Sequence, residues 1–409
     1  MRNNFLYNWW ARPIPVEHLR TKDCSFKEYL YKFLAHPVKR RVAKYYLLFL
    51  QEAFGLKVVG ITGSTGKTTT KEMTTAILSR LGNTVSSFAN IDPVYNIPTT
   101  ILRARPWTKY LVLEMGVEYP QEMDFYLWLA KPQVGVITNI YPTHTQFFGG
   151  EKGVAREKGK LVVGLPDNGF AVLNADNRYC MEIAKKVKAQ KVLFGSDAEV
   201  SFENMSFTRE LKTKYTLKLF ESKINVQIPI LGRQFVENSL AAACVGHYLG
   251  AKISDVKWGL EHFSPQVHRM RIIRHKSGAF IIDDTYNNNP AAAREALGTF
   301  ESLSKGRKKV VVFGDMLELG KLEKSEHEKI GEVIGKMKVD KLVTVGKSSI
   351  DTALKAANFL PSGTVLSVKT AKNVPLNFLG LDEKAVVLIK GSRSIGLEEL
   401  VSRLSRQVR

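Results

Sequence analysis

The stretch Gly60-Ile61-Thr62-Gly63-Ser64-Thr65-Gly66-Lys67-Thr68-Thr69-Thr70 holds residue types suited to phosphate binding. Glycines let successive backbone N–H groups converge on phosphate oxygens, a lysine reaches the terminal phosphates, and the hydroxyl after it can hold Mg2+. Lys67 and Thr68 stand in those two roles, with Gly63, Ser64, Thr65, Gly66 and Thr69 as the cradle around them. The strict GxxxxGK[ST] spacing asks for glycine at 61, where this chain has Ile61 flanked by Gly60 and Gly63. A ligand-free turn would account for the glycines but not for Gly-Lys-Thr directly after a β-rich run. Kinases, GTPases, helicases and ligases all carry such a loop, so other residues must name the reaction.

Ligands of an open α/β sheet collect beyond the carboxyl ends of its strands. Glu114 ends YLVLE, Asn139 and His144 follow VGVIT, and Lys158 lies on the next helix. A carboxylate at a neighbouring strand end suits Mg2+, directly or through water. On residue type alone Glu114 also reads as a surface charge, His144 as a loop histidine bonded to backbone, and Lys158 as a solvated lysine. Further on, Asp283, Asp284, Tyr286, Asn287, Asn288, Asn289 and Pro290 directly follow a strand-like run. Such polar side chains need partners when buried, so the segment reads as a ligand-contacting loop or a plain Asx turn. Asp315 and Glu318 in GDMLELG, and Lys390 and Arg393 in KGSRS, follow strands in the same half.

These residues need strands that end where they stand. LKVVGI (56–61), YLVLEM (110–115), VGVIT (134–138), FAVLN (170–174) and KVLF (191–194) are β-branched runs separated by helical stretches, which predicts βαβ units and a largely parallel sheet. YTLKLF and INVQIPI, joined by ESK, predict an antiparallel hairpin, and a helix is expected from about Phe235 to Leu249, ending at Gly250. SPQVHRMRI (264–272) reads as a domain junction. A second βα series follows it: AFIIDD (279–284), KKVVVFGDM (308–316), KLVTVG (341–346) and AVVLIKGS (385–392). The fold class is α/β in three parts: a helical leader (1–55), a P-loop central domain (56–266) and a smaller α/β domain (267–409).

The leader differs in composition, with ten Lys/Arg against four acids and 12 of the chain's 40 aromatic residues. Pro37 opens a helix from about Val38 to Ala53 that ends at Gly55 and sets Val42, Tyr45, Tyr46 and Phe49 near Lys39, Arg40, Arg41 and Lys44. Its apolar face either packs on the next domain or lies on an anionic membrane. Over all 409 residues, 60 Lys+Arg against 39 Asp+Glu leave a net charge of +21, which points to an anionic partner. A hydrophobic content of 44% argues against a disordered chain. No apolar run reaches the roughly 18 residues of a spanning helix, and no signal-peptide pattern opens the sequence. Cys24, Cys180 and Cys244 are far apart, so buried thiols in a reducing cytoplasm are expected.

In chain order, GITGSTGKTTTKE (60–72), LEMGV (113–117), TNIYPTH (138–144), EKGKL (157–161), LGRQFVENSLAAA (231–243), HRM (268–270), DDTYNNNP (283–290), GDMLELG (314–320) and KGSRS (390–394) resemble the Mur ligase family of ATP-dependent amide-forming enzymes. TTTKE, DDxYNxNP and DMLELG favour its D-Ala-D-Ala-adding branch. The resemblance implies a central domain with a mostly parallel sheet and a Rossmann-like C-terminal domain. It implies that Lys67 binds ATP phosphates, that Thr68 holds Mg2+, that Glu114 and a carbamylated Lys158 are also metal ligands, and that His144 belongs with a second metal. It sets Asn238 at adenine, Arg269 at phosphate and Asp284 at ribose. Asn90, Tyr286, Asn287, Asn289, Lys390 and Arg393 go with the substrates.

The implied chemistry is attack of a carboxylate on ATP to give an acyl phosphate, then attack of the amine of D-Ala-D-Ala to give an amide. Closure of the C-terminal domain over the nucleotide would keep water from the acyl phosphate. Three positions depart from the family pattern. Lys160 stands where glutamate is usual, SFANIDPVYNIPTTIL (87–102) lacks a glycine before Pro98, and residues 1–55 stand where a uridine-binding domain is usual. The expected substrate is a muramoyl-tripeptide precursor; a different or lipid-linked carboxylate, or a non-catalytic ATP-binding partner protein, are the alternatives. The expected protein is a cytoplasmic monomer that binds no nucleic acid, with residues 1–55 either packed on the next domain or in contact with the inner face of the membrane.

Overall fold

The computed structural model describes residues 10, 14, 18, 25–88, 91–143, 145–208 and 210–405. Cys24, Asn90 and His144 lie outside the described residues. The chain divides into two compact units. One is Met1–Ser206 with Lys214–Ile228 and Phe235–Ser264; the other is Phe207–Thr213 with Pro229–Gln234 and Pro265–Arg409.

The first unit opens with helices α1 (Phe26–Leu30) and α2 (His36–Phe54), joined by a π-helical turn, Tyr31–Ala35. Pro37 in the first turn and Gly55, left-handed at φ 68°, bound α2 as predicted. Of the two fates expected for the Val42, Tyr45, Tyr46 and Phe49 face, packing on the next domain holds for Tyr46 alone. Ala43, Leu47 and Leu50 enter the core, whereas Val42, Tyr45 and Phe49 are exposed. Small and aliphatic side chains permit the close approach to the next helices that the aromatic side would prevent; of the predicted set, Tyr46 reaches inward, donating to Ala104 O at 2.9 Å.

Next come β1 (Lys57–Thr62), α3 (Lys67–Leu78), β2 (Thr84–Ser86), α4 (Pro93–Arg103), β3 (Tyr110–Glu114), α5 (Glu122–Leu129), β4 (Val134–Ile137), α6 (Thr145–Phe148) and α7 (Glu151–Val163). Then follow β5 (Phe170–Asn174), α8 (Arg178–Ala184), β6 (Gln190–Phe194), β7 (Val200–Phe207), β8 (Thr213–Leu219), β9 (Ser222–Ile228), α9 (Arg233–Tyr248) and α10 (Ile253–His262). The nine strands form one sheet in the order β2-β3-β1-β4-β5-β6-β7-β8-β9. Pairing is parallel from β2 through to β7. Only Phe220 and Glu221 join β8 to β9, a connection that an antiparallel pair alone can make. β1 lies between β3 and β4 and is buried from Val58 onward, as a central parallel strand must be.

The second unit holds β10 (Arg271–Arg274), β11 (Phe280–Asp284), α11 (Pro290–Leu303), β12 (Lys308–Gly314), α12 (Glu323–Lys336), β13 (Lys341–Val345), α13 (Ile350–Ala357), β14 (Val365–Val368), β15 (Ala385–Lys390) and α14 (Glu398–Ser405). Its sheet runs β10-β11-β15-β12-β13-β14, parallel except for the antiparallel edge strand β10. Its core gathers Val310, Val312, Val343, Val387 and Ile389 from the central strands.

Candidate active site

In the first unit, α3 begins at Lys67 behind Gly66, whose backbone is left-handed at φ 79°. A Cβ at Gly66 would lie 2.2 Å from Asn238 Oδ1 on α9, so the position needs glycine and Asn238 is held against the loop. The loop is tied to the segment after β4. Ser64 N donates to Asn139 O at 3.0 Å. Thr65 N donates to Asn139 Oδ1 at 2.9 Å, and Asn139 Nδ2 donates to Thr65 Oγ1 at 2.9 Å. Ser64 Oγ donates to Tyr141 O and accepts from Tyr141 N, both at 2.9 Å. Lys67 Nζ curls back to Gly63 O at 3.0 Å, within the arc where a phosphate would sit.

The register sets Glu114 opposite Ile61 on neighbouring parallel strands, so both strand ends face the helix start. Thr68 Oγ1 donates to Glu114 Oε1 at 3.1 Å. A hydroxyl and a carboxylate that converge beside a phosphate loop are hard oxygen donors that fit Mg2+. Thr69 is buried on α3. Lys71, one turn after Lys67 and fully buried, donates to Ser87 O at 2.7 Å and pairs with Glu72 at 2.9 Å.

α7 lies directly on β1, because a Cβ at Gly60 would come within 2.9 Å of Leu161 Cδ1. One turn before Leu161 the same helix carries Lys158, which is 1% exposed. Among the described residues no hydrogen bond or ion pair holds its amine. Burial, then the nearby Lys67 cation, push the Lys158 pKa well below the ordinary lysine range, against the pull of Glu122, Glu157 and Glu118. Those carboxylates are themselves engaged. Glu122 Oε2 accepts from Glu118 N at 2.6 Å, His18 Nε2 lies 2.5 Å from Glu122 Oε1, and Met123 N donates to Glu157 Oε1 at 3.1 Å. Lys160 bridges Asp124 at 2.6 Å and Glu157 at 2.7 Å, which gives this departure from the family pattern a local charge partner.

In the second unit, Asp284 and Lys390 are register partners at the ends of β11 and β15. Lys390 Nζ donates to Asp284 Oδ2 at 2.6 Å and to Asn287 O at 2.9 Å. The Arg269 guanidinium lies 4.1 Å from the centre of the Tyr286 ring and that of Arg393 lies 5.9 Å from it. Arg269 sits between two residues with left-handed backbone, His268 at φ 63° and Met270 at φ 47°. Asn289 caps α11, accepting from Ala292 N at 3.0 Å, and Asn288 Nδ2 donates to Gly314 O at 2.9 Å. Part of this polar run therefore shapes the strand-to-helix turn.

Residues 61–246 match the Mur ligase middle domain, and residues 268–393 match the Mur ligase, glutamate ligase domain. The UDP-N-acetylmuramoyl-tripeptide–D-alanyl-D-alanine ligase of Escherichia coli (strain K12) is 33% identical over 353 residues, covering 85% of this chain and 76% of that enzyme. The chain belongs to the Mur ligase family. Among solved structures, MurF from Acinetobacter baumannii superposes with a TM-score of 0.81 at 29% identity, covering 90% of this chain and 80% of that one. MurF ligase from Thermotoga maritima, solved with ADP, shares the fold at a TM-score of 0.79 and 23% identity, covering 91% and 84%.

In this Mur ligase the predicted residues fall into two groups. Gly63, Ser64, Thr65, Gly66, Lys67, Thr68, Thr69, Glu114 and Asn238 gather around the loop of the first unit, with Lys158 close by. Arg269, Asp284, Tyr286, Asn287, Asn289, Lys390 and Arg393 belong to the second unit. Sequence reasoning missed Tyr141 and Thr143 as partners of Ser64, Ser87 as partner of Lys71, and Glu122 and Glu157 beside Lys158. Glu122 opens a helix and could have been noticed as an acid in its first turn; the others carry no local signal.

Proposed function

We propose that this chain is an ATP-dependent ligase of peptidoglycan precursor synthesis that joins D-Ala-D-Ala to a UDP-N-acetylmuramoyl tripeptide. Likeness over most of the chain to enzymes of that name supports the reaction. The single observation that carries the site is the Thr68–Glu114 pair at 3.1 Å at the start of the helix that carries Lys67.

A carboxylate oxygen of the muramoyl peptide bonds to the γ-phosphorus of ATP while the bond to the ADP oxygen breaks, giving an acyl phosphate. The amine of D-Ala-D-Ala attacks the acyl carbon, phosphate departs, the nitrogen loses a proton, and an amide remains. Lys67 holds the transferring phosphoryl oxygens, and the N–H groups of the loop orient the nucleotide. Thr68 and Glu114 would hold Mg2+, and a second site would use His144 and a carbamylated Lys158. Bound there, the ions supply positive charge against the phosphate oxygens. Lys158 suits carbamylation because burial and the Lys67 cation disfavour its charged form: the amine adds to CO2, loses a proton and becomes carboxylate-like. Asn238 is assigned to adenine, Arg269 to phosphate and Asp284 to ribose. Asn90, Tyr286, Asn287, Asn289, Lys390 and Arg393 are assigned to the substrates.

ADP release by the purified chain tests this reading, with UDP-muramoyl tripeptide or its lipid-linked form as acceptor. The expected result is turnover that requires both the acceptor and D-Ala-D-Ala and yields the amide. Turnover that ignores the amine and is driven by nucleic acid would sink it.

A further inference from the structure

Helix α2 has two apolar faces. Ala43, Leu47 and Leu50 are at most 1% exposed and sit in the core. On the other side Leu34, in the preceding turn, then Val38, Val42, Tyr45 and Phe49 recur at spacings of three and four and are between 48% and 67% exposed. From Leu34 to Phe49 this stripe runs roughly 22 Å at the helical rise. Phe26 and Phe54, 76% and 49% exposed, continue it at either end. A contiguous apolar stripe of this kind marks an interaction surface rather than scattered surface residues.

Charge says what covers it. From Tyr29 to Gln51 the chain has no acidic residue, while Lys32, Lys39, Arg40, Arg41 and Lys44 all fall in that span. Arg40 is buried and donates to Trp10 O at 2.7 Å. At 100° per residue, Lys39 lies on one flank of the stripe and Arg41 and Lys44 on the other. Lys39 reaches Thr99 at 2.8 Å and the Lys44 ammonium lies 4.2 Å from the Trp128 ring centre, so these cations rim the stripe rather than cross it. An apolar, aromatic face with cationic rims matches a helix lying in the headgroup region of an anionic bilayer. A second copy fits poorly: two-fold pairing would bring Lys39, Arg41 and Lys44 together against a single acid on this side of the helix, Glu52, one turn beyond Phe49. No helix among the described residues is long and apolar enough to cross a membrane.

We infer that this face of α2 docks on an anionic lipid bilayer, with Val38, Val42, Tyr45 and Phe49 at the headgroup–acyl boundary and Lys39, Arg41 and Lys44 at lipid phosphates. The docking uses no residue of the phosphate loop, so it stands or falls separately from the ligase reading.

Flotation of the full chain tests it, with vesicles of phosphatidylcholine alone and of equal parts phosphatidylcholine and phosphatidylglycerol, at physiological salt. The wild type floats with the anionic vesicles and about tenfold less with the neutral ones. The quadruple variant Val38→Gln, Val42→Gln, Tyr45→Ser, Phe49→Gln loses anionic flotation about tenfold, with its thermal midpoint and ADP release unchanged. Tyr45→Asp alone lowers flotation several-fold. Wild-type protein that stays at the bottom of the anionic gradient overturns the proposal, and this arm needs no variant. So does either variant floating like the wild type, or a sedimentation dimer that the quadruple variant abolishes.

Discussion

Lys158, on helix α7 of the first unit, and Lys390, at the end of β15 in the second, are each 1% exposed. Lys390 has a carboxylate at 2.6 Å and a carbonyl at 2.9 Å. Lys158 has neither, and the cation of Lys67 works against its charge. A buried ion pair is held by its own geometry, and breaking it strands a charge. A buried amine without such a partner has its charged form disfavoured instead, and its pKa falls. The two lysines differ in what surrounds them: one is paired with Asp284 across the strand ends, the other has its charged form disfavoured.

The contrast can be broken most decisively at Lys158. Lys158→Ala is expected to lower ADP release by a factor on the order of 10²–10³, with partial rescue by short carboxylic acids. Full activity in this variant would end the assignment. Lys158→Met, which keeps most of the buried stem, should leave the denaturation midpoint near that of the wild type, since no pair is broken. Lys390→Met is expected to do the reverse for stability, losing about 1–3 kcal/mol in denaturant titrations as Asp284 is stranded. Adding Asp284→Asn should return part of that loss; strict additivity of the two changes would mean that the pair is not coupled. Gly66→Ala should raise the KM for ATP at a strain of about 1–2 kcal/mol, because the left-handed position also faces Asn238 Oδ1. An unchanged KM would free Asn238 from the loop.

His36 sharpens the same contrast by pH. It is fully buried, and burial first, then Arg40, lowers its pKa from the usual 6.5 to about 3. Between those values the unfolded chain binds a proton that the folded chain refuses, so stability falls as pH drops through this window, by up to about 1.4 kcal/mol per pH unit. His36→Gln should flatten the slope measured by denaturant unfolding between pH 6 and pH 4; an unaltered slope would put the titration elsewhere.

What was legible followed from local pattern. β1, the glycine turn and α3 are written in consecutive residues, and parallel pairing of β1 with β3 brings Glu114 to Thr68. The same logic joins Asp284 to Lys390 across β11 and β15. Short strands were missed because their sequence lacks period or contrast: Thr84–Ser86 has three polar-flanked residues, and Arg271–Arg274 hides in the junction. For α2 the sequence offers two apolar sides: Val42, Tyr45 and Phe49 are the exposed one and Ala43, Leu47 and Leu50 the buried one, and periodicity alone does not say which of them meets the core. The surroundings of Lys158 are not legible, since Lys67 and the Glu118–Glu122 stretch come from two segments remote in sequence from the helix that carries it.

Ser64 carries one further consequence. Its hydroxyl gives its proton to Tyr141 O, takes one from Tyr141 N, and takes another from Thr143 Oγ1 at 3.2 Å. Every hydrogen-bonding capacity of that oxygen is used within the chain. The loop is therefore already ordered before any nucleotide arrives, and the entropy of fixing it is lost during folding rather than on binding. Ser64→Ala would shift that loss to the encounter, so the variant would bind nucleotide more weakly although no contact to the ligand had been removed.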